Sequence, residues 1–373
     1  MKLILNKLKK LSKASERKLK SEMSSDETGV IHLDSVSHFY PNDKFPTIEN
    51  LNLLVKHGEF ISILGESGAG KTTTLRMIAG FEKISSGYLR IGGQLVGSNF
   101  LHAPPNHRNL GVVFQDYALF PHMSVEKNIL FGAGKDFNLK PLAESLQVSE
   151  LLAKFPSELS AGERQRAAIA RSLAARPKVL FLDEPFSALD IQGKRRGRSL
   201  LKGALAIEVS GCLMVTHDLV DAFTLADRVM IIEGGKLTQF DVPDRIRSRP
   251  GSEWIADLVG WNYYEGIGEG SVVTLPHGTT IFTAQDDLDG PTSISINPAS
   301  VSIFKSQPSG SPRNTWLSSI QNIEILGGRA RVSLVGEIDI CADITTVAAN
   351  ELRQSISSEV WVSVKATEVD TQR

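Results

Sequence analysis

From Val30 to about Val242, short apolar runs alternate with segments whose apolar residues recur at helical spacing. That alternation predicts a mainly parallel sheet covered by helices. Three runs, Phe60 to Leu64, Val179 to Leu182 and Cys212 to Val215, are nearly continuous in apolar character, as strands buried on both faces must be. Each stops at polar residues: Gly65 and Glu66, Asp183 and Glu184, Thr216 and His217. Ligands of open parallel sheets bind beyond the carboxyl ends of the strands, so these three ends are expected to converge on one site. Between Asp116 and Leu159 strand character gives way to helical patterns at Val125 to Leu130 and Leu142 to Leu152. This stretch predicts a helical insert over about 116–162.

The pattern changes after 241–250, which carries prolines and charge, and after a helix expected around Trp254 to Val259. Ser293 to Phe304, Ala330 to Val335 and Val360 to Ala366 are short, alternating and separated by Gly, Pro, Ser and Asn, the pattern of a small all-β, OB-like barrel. The expected division is a tail over 1–28, an α/β domain over 29–245, a linker helix over 246–262 and a C-terminal barrel over 263–373. A length of 373 residues accommodates two or three domains.

Composition narrows the function classes. A formal net charge of -1, with 22% charged residues, argues against generic nucleic-acid binding. Cys212 and Cys341 show neither metal-ligand spacing nor a disulfide framework, and both are expected to be packing residues in a reducing compartment. No apolar stretch approaches the roughly 20 residues of a membrane-spanning helix, so a soluble chain that meets membranes through partners is expected. The first 25 residues are lysine-rich. They read either as a solvated tail or as a basic amphipathic turn built on Leu3, Leu5, Leu8 and Leu11.

The chemistry begins at Gly65-Glu66-Ser67-Gly68-Ala69-Gly70-Lys71-Thr72, a phosphate-binding loop whose glycines let backbone N–H groups wrap polyphosphate oxygens. Lys71 is expected to reach the β- and γ-phosphates of ATP, and the Thr72 hydroxyl to hold Mg²⁺. A helix running to Ala79 and closed by Gly80 aims its positive end at the anion. With Thr73, these are the candidate nucleotide contacts. Asp183 and Glu184 follow a buried strand, where one carboxylate can hold the metal and its neighbour can polarise water. Asp183 is assigned to the metal and Glu184 to the water.

Leu159-Ser160-Ala161-Gly162-Glu163-Arg164-Gln165-Arg166 resembles the signature motif of ABC-transporter ATPases. Physically it is a capped helix start, with Ser160 and Gly162 opening a helix that runs through Arg171 and stops before Pro177. The commonest family form has Gly at the place of Ala161 and often Gln at that of Glu163. The resemblance implies that Ser160, Ala161, Gly162 and Glu163 close over ATP held by a second copy of the chain, in a head-to-tail dimer. It also implies that Tyr40 stacks on adenine, that Gln115 senses Mg²⁺ and water, that Ser187-Ala188-Leu189-Asp190 crosses the dimer interface, and that His217 contacts the γ-phosphate. Taken singly, a Tyr is more often packing and a Gln more often surface. The resemblance covers Val30 to about Val242.

The region from about Tyr263 resembles the TOBE/Mop-like domain of importer ATPases. Ser311-Pro312-Arg313-Asn314, Ile344-Thr345-Thr346 and the segment from Val360 to Val369 look most like the molybdate and tungstate importers. Hydroxyls, amides and Lys365 could ligate an oxyanion there, or the domain could be a purely structural dimerisation piece. The family implies transmembrane permease partners, with 116–123 as the docking region, a solute-binding protein met indirectly, and a peripheral place on the cytoplasmic face of the cell membrane. Polyamine, sugar, sulfate and ferric-iron import remain alternatives, as does a soluble ABC ATPase outside transport.

Overall fold

A computed structural model describes residues 29–41, 43–352 and 359–372. The expected basic tail, 1–28, lies outside them. The chain divides after Pro243 into two compact units.

In chain order the first unit runs β1 (Ile31–His38), β2 (Ile48–Val55), β3 (Glu59–Leu64), α1 (Lys71–Ala79), β4 (Ser86–Ile91), β5 (Gln94–Ser98) and β6 (Leu110–Val113). It continues through α2 (Val125–Leu130), α3 (Leu139–Ser145), α4 (Ala161–Ala174), β7 (Val179–Asp183), α5 (Ile191–Glu208), β8 (Gly211–Val215), α6 (Leu219–Leu225), β9 (Arg228–Glu233) and β10 (Lys236–Asp241). One sheet is antiparallel, ordered β2-β1-β4-β5. The other is ordered β10-β9-β3-β8-β7-β6 and is parallel from β9 to β6. The central strands are almost wholly apolar, buried Ser62 of β3 excepted, because the sheet separates two cores. Val179 and Phe181 of β7, with Leu213 and Val215 of β8, enter the core shared with the antiparallel sheet. Leu180, Leu182, Cys212 and Met214 enter the core under the helices of the insert. A strand with both faces buried has no polar face to alternate with.

α1 keeps the predicted bounds, closed by Gly80 at φ 91°. The helix expected from Leu142 to Leu152 is instead two pieces. α3 stops at Ser145, and a 3₁₀ turn follows over Ser149–Leu151. Between them Gln147 turns left-handed, at φ 53°, while its side-chain oxygen accepts from Arg196 of α5. An outside cation thus holds the chain where an uninterrupted apolar period would have carried the helix on.

The second unit contains α7 (Pro243–Ser248) and α8 (Glu253–Val259) where a linker helix is expected over 246–262. Then come β11 (Asn262–Gly270), β12 (Val272–Thr274), β13 (Thr280–Phe282), β14 (Leu288–Ile296), β15 (Ser302–Phe304), β16 (Asn314–Leu326), β17 (Arg329–Gly336) and β18 (Ile340–Thr345). α9 (Thr346–Leu352), β19 (Glu359–Val364) and β20 (Val369–Gln372) complete it. The strands form two antiparallel sheets, β13-β12-β11-β14-β20 and β15-β19-β16-β17-β18, around one core that includes Val273, Ile294, Trp316, Val332 and Val362. The segment read as one strand from Ser293 to Phe304 is broken by a 3₁₀ turn at Pro298–Ser300. Buried Asn262 joins the sheets: its amide donates to Ile296 O (3.2 Å) and Cys341 O (3.0 Å), and its oxygen accepts from Cys341 N (2.7 Å).

Candidate functional site

The order β3-β8-β7-β6 brings four strand ends side by side, each carrying its own chemistry. β3 leads into the glycine loop. At Gly65 an added Cβ would lie 2.2 Å from Ile232 O, so any side chain would push the loop off β9. Gly70 adopts φ 101°, left-handed, just ahead of α1, a conformation that favours glycine. Lys71 folds back over the loop, and Nζ donates to Gly65 O (2.8 Å) and Glu66 O (2.7 Å). Burial lowers its pKa below the usual lysine range, and the charges of Glu184 and Asp183 oppose that fall. The ammonium, whose charge is felt by both carboxylates, stands at the start of α1, where the first-turn amides have no intrahelical acceptor and an anion would be favoured.

β7 delivers the carboxylates. Burial and the neighbouring charge of Glu184 raise the pKa of Asp183, while Arg76 and Lys71 pull it down. Glu184 stands at φ 45°, an unfavourable conformation for a residue with a Cβ. Its N–H donates to Val215 O of β8 (2.9 Å), and its carbonyl accepts from Ser187 N (3.2 Å) and Ser187 Oγ (3.0 Å). The strained backbone is thus tied on both sides. The side chain meets Gln115, just beyond β6, whose Nε2 lies 3.5 Å from Oε2. On its other oxygen it meets His217, just beyond β8, with Nδ1 3.3 Å from Oε1. Phe114, Gln115, Asp116, Asp183, Ser187 and Ala188 line a cavity of about 670 Å³.

Lys71, Asp183, Glu184, Gln115 and His217 therefore form one cluster. Tyr40 joins its edge: the hydroxyl lies 3.3 Å from Thr73 Oγ1 of α1, and the ring stands edge-on to His38 at 4.6 Å between centroids. Ser160, Ala161, Gly162, Glu163 and Asp190 serve helix starts. Ser160 N donates to Glu163 Oε2 (2.7 Å) and Ser160 Oγ accepts from Glu163 N (3.3 Å), and hydrogen bonding from the Ser160 backbone and hydroxyl holds the Glu163 carboxyl below its usual pKa. Asp190 Oδ1 accepts from Gly193 N (2.7 Å) at the start of α5. Among the described residues, none of these bonds reaches the glycine loop.

Ser187, read in the sequence as part of a loop at the dimer interface, has a second task, and the sequence does not mark Arg171 as a site residue at all. Ser187 clamps the carbonyl of Glu184. Arg171, on α4, donates to Ala118 O (2.7 Å) and Tyr117 O (3.2 Å), fixing the left-handed pair Tyr117 and Ala118 just after Gln115. A lone arginine late in a helix carries no local mark of such a partner. In the second unit, two residues of the segments that resemble the molybdate and tungstate importers have structural work. The Asn314 amide pairs with both backbone groups of Phe282 (2.7 and 2.9 Å), and Thr345 Oγ1 accepts from Ala348 N (3.3 Å) at the start of α9.

The donor set suits a magnesium–nucleotide pair. Thr72 opens α1 with an exposed hydroxyl, and Asp183 is a half-buried carboxylate that accepts no hydrogen bond among the described residues. Both are hard oxygen donors of the kind Mg²⁺ takes, one or two at a time, alongside phosphate oxygens. Among the described residues no group of three His, Cys, Asp or Glu is placed to hold a metal alone, and no helix is long and apolar enough to cross a membrane.

The ABC transporter family model matches residues 48–187 and the TOBE domain model residues 310–370. The spermidine/putrescine import ATP-binding protein PotA of Pseudomonas fluorescens (strain Pf0-1) is 40% identical over 241 residues, 62% of this chain and 66% of its own. The molybdate/tungstate import ATP-binding protein WtpC of Pyrococcus abyssi (strain GE5 / Orsay) is 35% identical over 350 residues, 91% of this chain and 99% of its own. The solved structure of cbiO1 from Clostridium perfringens, part of an ABC transporter complex, is similar in fold, with a TM-score of 0.53 at 24% identity over 62% of this chain and 96% of its own.

Proposed function

The chain belongs to the ATP-binding subunits of ABC importers, an ATPase with a P-loop core, a helical insert and a C-terminal TOBE domain, and on that premise we propose that it energises uptake of an oxyanion, molybdate or tungstate. The relative named for those anions spans both units of the chain, which supports the choice. A second reading, polyamine import, is supported by relatives named for spermidine and putrescine, one of them 40% identical and another matched over 83% of the chain and so also spanning both units. ATPase assays in proteoliposomes with the cognate permease separate them. Stimulation by a molybdate- or tungstate-loaded solute-binding protein supports the first, and stimulation by a spermidine-loaded one alone replaces it.

The observation that carries our reading of the site is the convergence of Gln115 and His217 on the two oxygens of Glu184, beside Lys71. Gly65 to Thr73 bind the phosphates of ATP through backbone N–H groups and the Lys71 ammonium, and Tyr40 supports the adenine. Thr72, Asp183 and Gln115 would hold Mg²⁺, which would supply positive charge to offset that of the phosphates. Glu184 orients the attacking water and draws off its proton, and His217 donates to the γ-phosphate. Phosphoryl transfer needs positioning and charge stabilisation more than covalent chemistry, and the strained, doubly tied backbone of Glu184 supplies the positioning. Replacing Glu184 by Gln keeps the shape and removes the base. ATP binding is then retained while turnover falls by about 10²; turnover within about threefold of the parent chain takes Glu184 out of this role.

A second copy completes the site. Ser160, Ala161, Gly162 and Glu163, with Asp190, close over nucleotide held by the partner, and the 116–123 segment docks the permease at the cytoplasmic face of the membrane. Cysteines placed at Ser67 and Gly162 are expected to crosslink separate chains when Glu184→Gln protein is trapped with ATP. Monomer alone in that sample argues against the head-to-tail arrangement.

A further inference from the structure

Asp218, the residue after His217, is held from three directions. Its N–H donates to Thr216 Oγ1 (3.0 Å). Oδ1 accepts from the backbone N–H groups of Val220 (2.9 Å) and Asp221 (3.2 Å), capping α6. Oδ2 accepts from Lys194 Nζ of α5 at 2.6 Å. Further along both helices, Arg198 Nη1 bonds Asp221 Oδ1, also at 2.6 Å. Lys194 and Arg198 are four residues apart and share one face of α5, so α5 and α6 are joined by two rungs.

The rungs are not equivalent. The Asp221 side chain is 3% exposed and that of Arg198 13%, so cutting that rung strands a buried charge. The Lys194 and Asp218 side chains are 21% and 23% exposed, and water can reach what is left when the ammonium is removed. Burial pushes the Asp218 carboxyl up, but Lys194 and the α6 amides outweigh it and hold the group below its usual range.

These contacts matter because His217 has little else to hold it. Its side chain is 61% exposed, and its ion-pair contact is Glu184. The place of its ring is therefore set by its backbone, which is anchored through Asp218. α5, which supplies Lys194, begins at Asp190, three residues after the Ser187 that clamps Glu184. Glu184 and His217 are thus referred to the same helix.

We propose that Lys194 is a positioning residue for ATP hydrolysis: its bridge to Asp218 fixes the backbone carrying His217 and so sets the imidazole against Glu184 and the γ-phosphate. The proposal rests on the roles given above to His217 and Glu184.

The test uses the full chain and steady-state ATPase kinetics, with thermal unfolding alongside. Lys194→Met keeps the apolar stem and removes the charge. It is expected to lower kcat about fivefold to tenfold with KM within about twofold, because the glycine loop and Tyr40 are untouched. Lys194→Arg restores kcat to within about twofold. Added to His217→Ala, Lys194→Met lowers kcat no further, since it acts through the imidazole. Lys194→Gln is a second variant without the charge. If His217→Ala lowers kcat and neither Lys194→Met nor Lys194→Gln does, the inference is overturned. A loss that adds in full to that of His217→Ala, a failure of Lys194→Arg to restore kcat, or unfolding of both neutral variants overturns it equally, the last by making the lysine structural. If His217→Ala itself leaves kcat unchanged, the fault lies in the site assignment and not in the bridge.

Discussion

Arg108 allows a stability prediction to be worked from the coordinates. Its residue is 3% exposed, at the end of α1 opposite the phosphate loop. Nη1 donates to Met77 O and Ile78 O, each at 2.7 Å, and Nε to Ala103 O at 2.8 Å. Met77 and Ile78 carry carbonyls of the last turn of α1, of which Met77 O also accepts from the Gly80 N–H at 3.2 Å, and a cation there complements the helix dipole. Burial lowers the Arg108 pKa from the usual arginine range to about 10, which corresponds to an opposing cost of about 3 kcal/mol. Hydrogen bonds from a charged donor contribute about 1.5–3 kcal/mol each. Three short ones exceed the cost, leaving a net stabilisation of roughly 1.5–6 kcal/mol. Arg108→Met fills similar space but removes the charged donor from all three carbonyls, leaving Met77 O with only the Gly80 N–H (3.2 Å), so a loss of about 3 kcal/mol is expected. For a domain of this size that lowers Tm by roughly 6–12 °C. Differential scanning calorimetry measures it, and Arg108→Lys should fall between, because an ammonium cannot span three acceptors in a fixed fork. A midpoint for Arg108→Met within about 2 °C of the parent would falsify the capping account.

Three further outcomes are expected. Gly70→Ala forces a Cβ onto a residue at φ 101°, 2.5 Å from Ile48 Cδ1 and 3.0 Å from Thr47 O; binding of a fluorescent ATP analogue should weaken by at least about tenfold, and unchanged affinity would show that the loop tolerates the shift. Tyr40→Ala should raise KM for ATP about tenfold, whereas Tyr40→Phe, which keeps the ring and loses the bond to Thr73, should raise it about twofold to threefold; equal effects would remove the ring from nucleotide binding. Cys212 is buried, and burial pushes its thiol well above the usual range, so alkylation followed by mass spectrometry should leave it unmodified until the chain unfolds. Rapid labelling of Cys212 in the native protein contradicts that packing.

Local pattern carried the three apolar strands, the glycine loop, α1 with its Gly80 stop and the capped start of α4, because each follows from residues a few positions apart. A strand buried on both faces must be apolar at nearly every position, and a phosphate loop needs glycine wherever the backbone turns left-handed or meets another strand. The alternating strands of the second unit were legible for the same reason, although their pairing was not. β20 lies beside β14, more than seventy residues earlier. The break at Gln147 escaped notice because the apolar period runs on through it, while Arg196, which holds the turn, lies forty-nine positions away. Asn314 and Thr345 looked available for a ligand only until their backbone partners were known. The cluster at Glu184 is the clearest case. Gln115, Glu184 and His217 were each recognisable in the chain, but their meeting depends on β6, β7 and β8 lying side by side. Strand order arises from which buried faces fit together across the whole core, a long-range packing property that neighbouring residues do not encode.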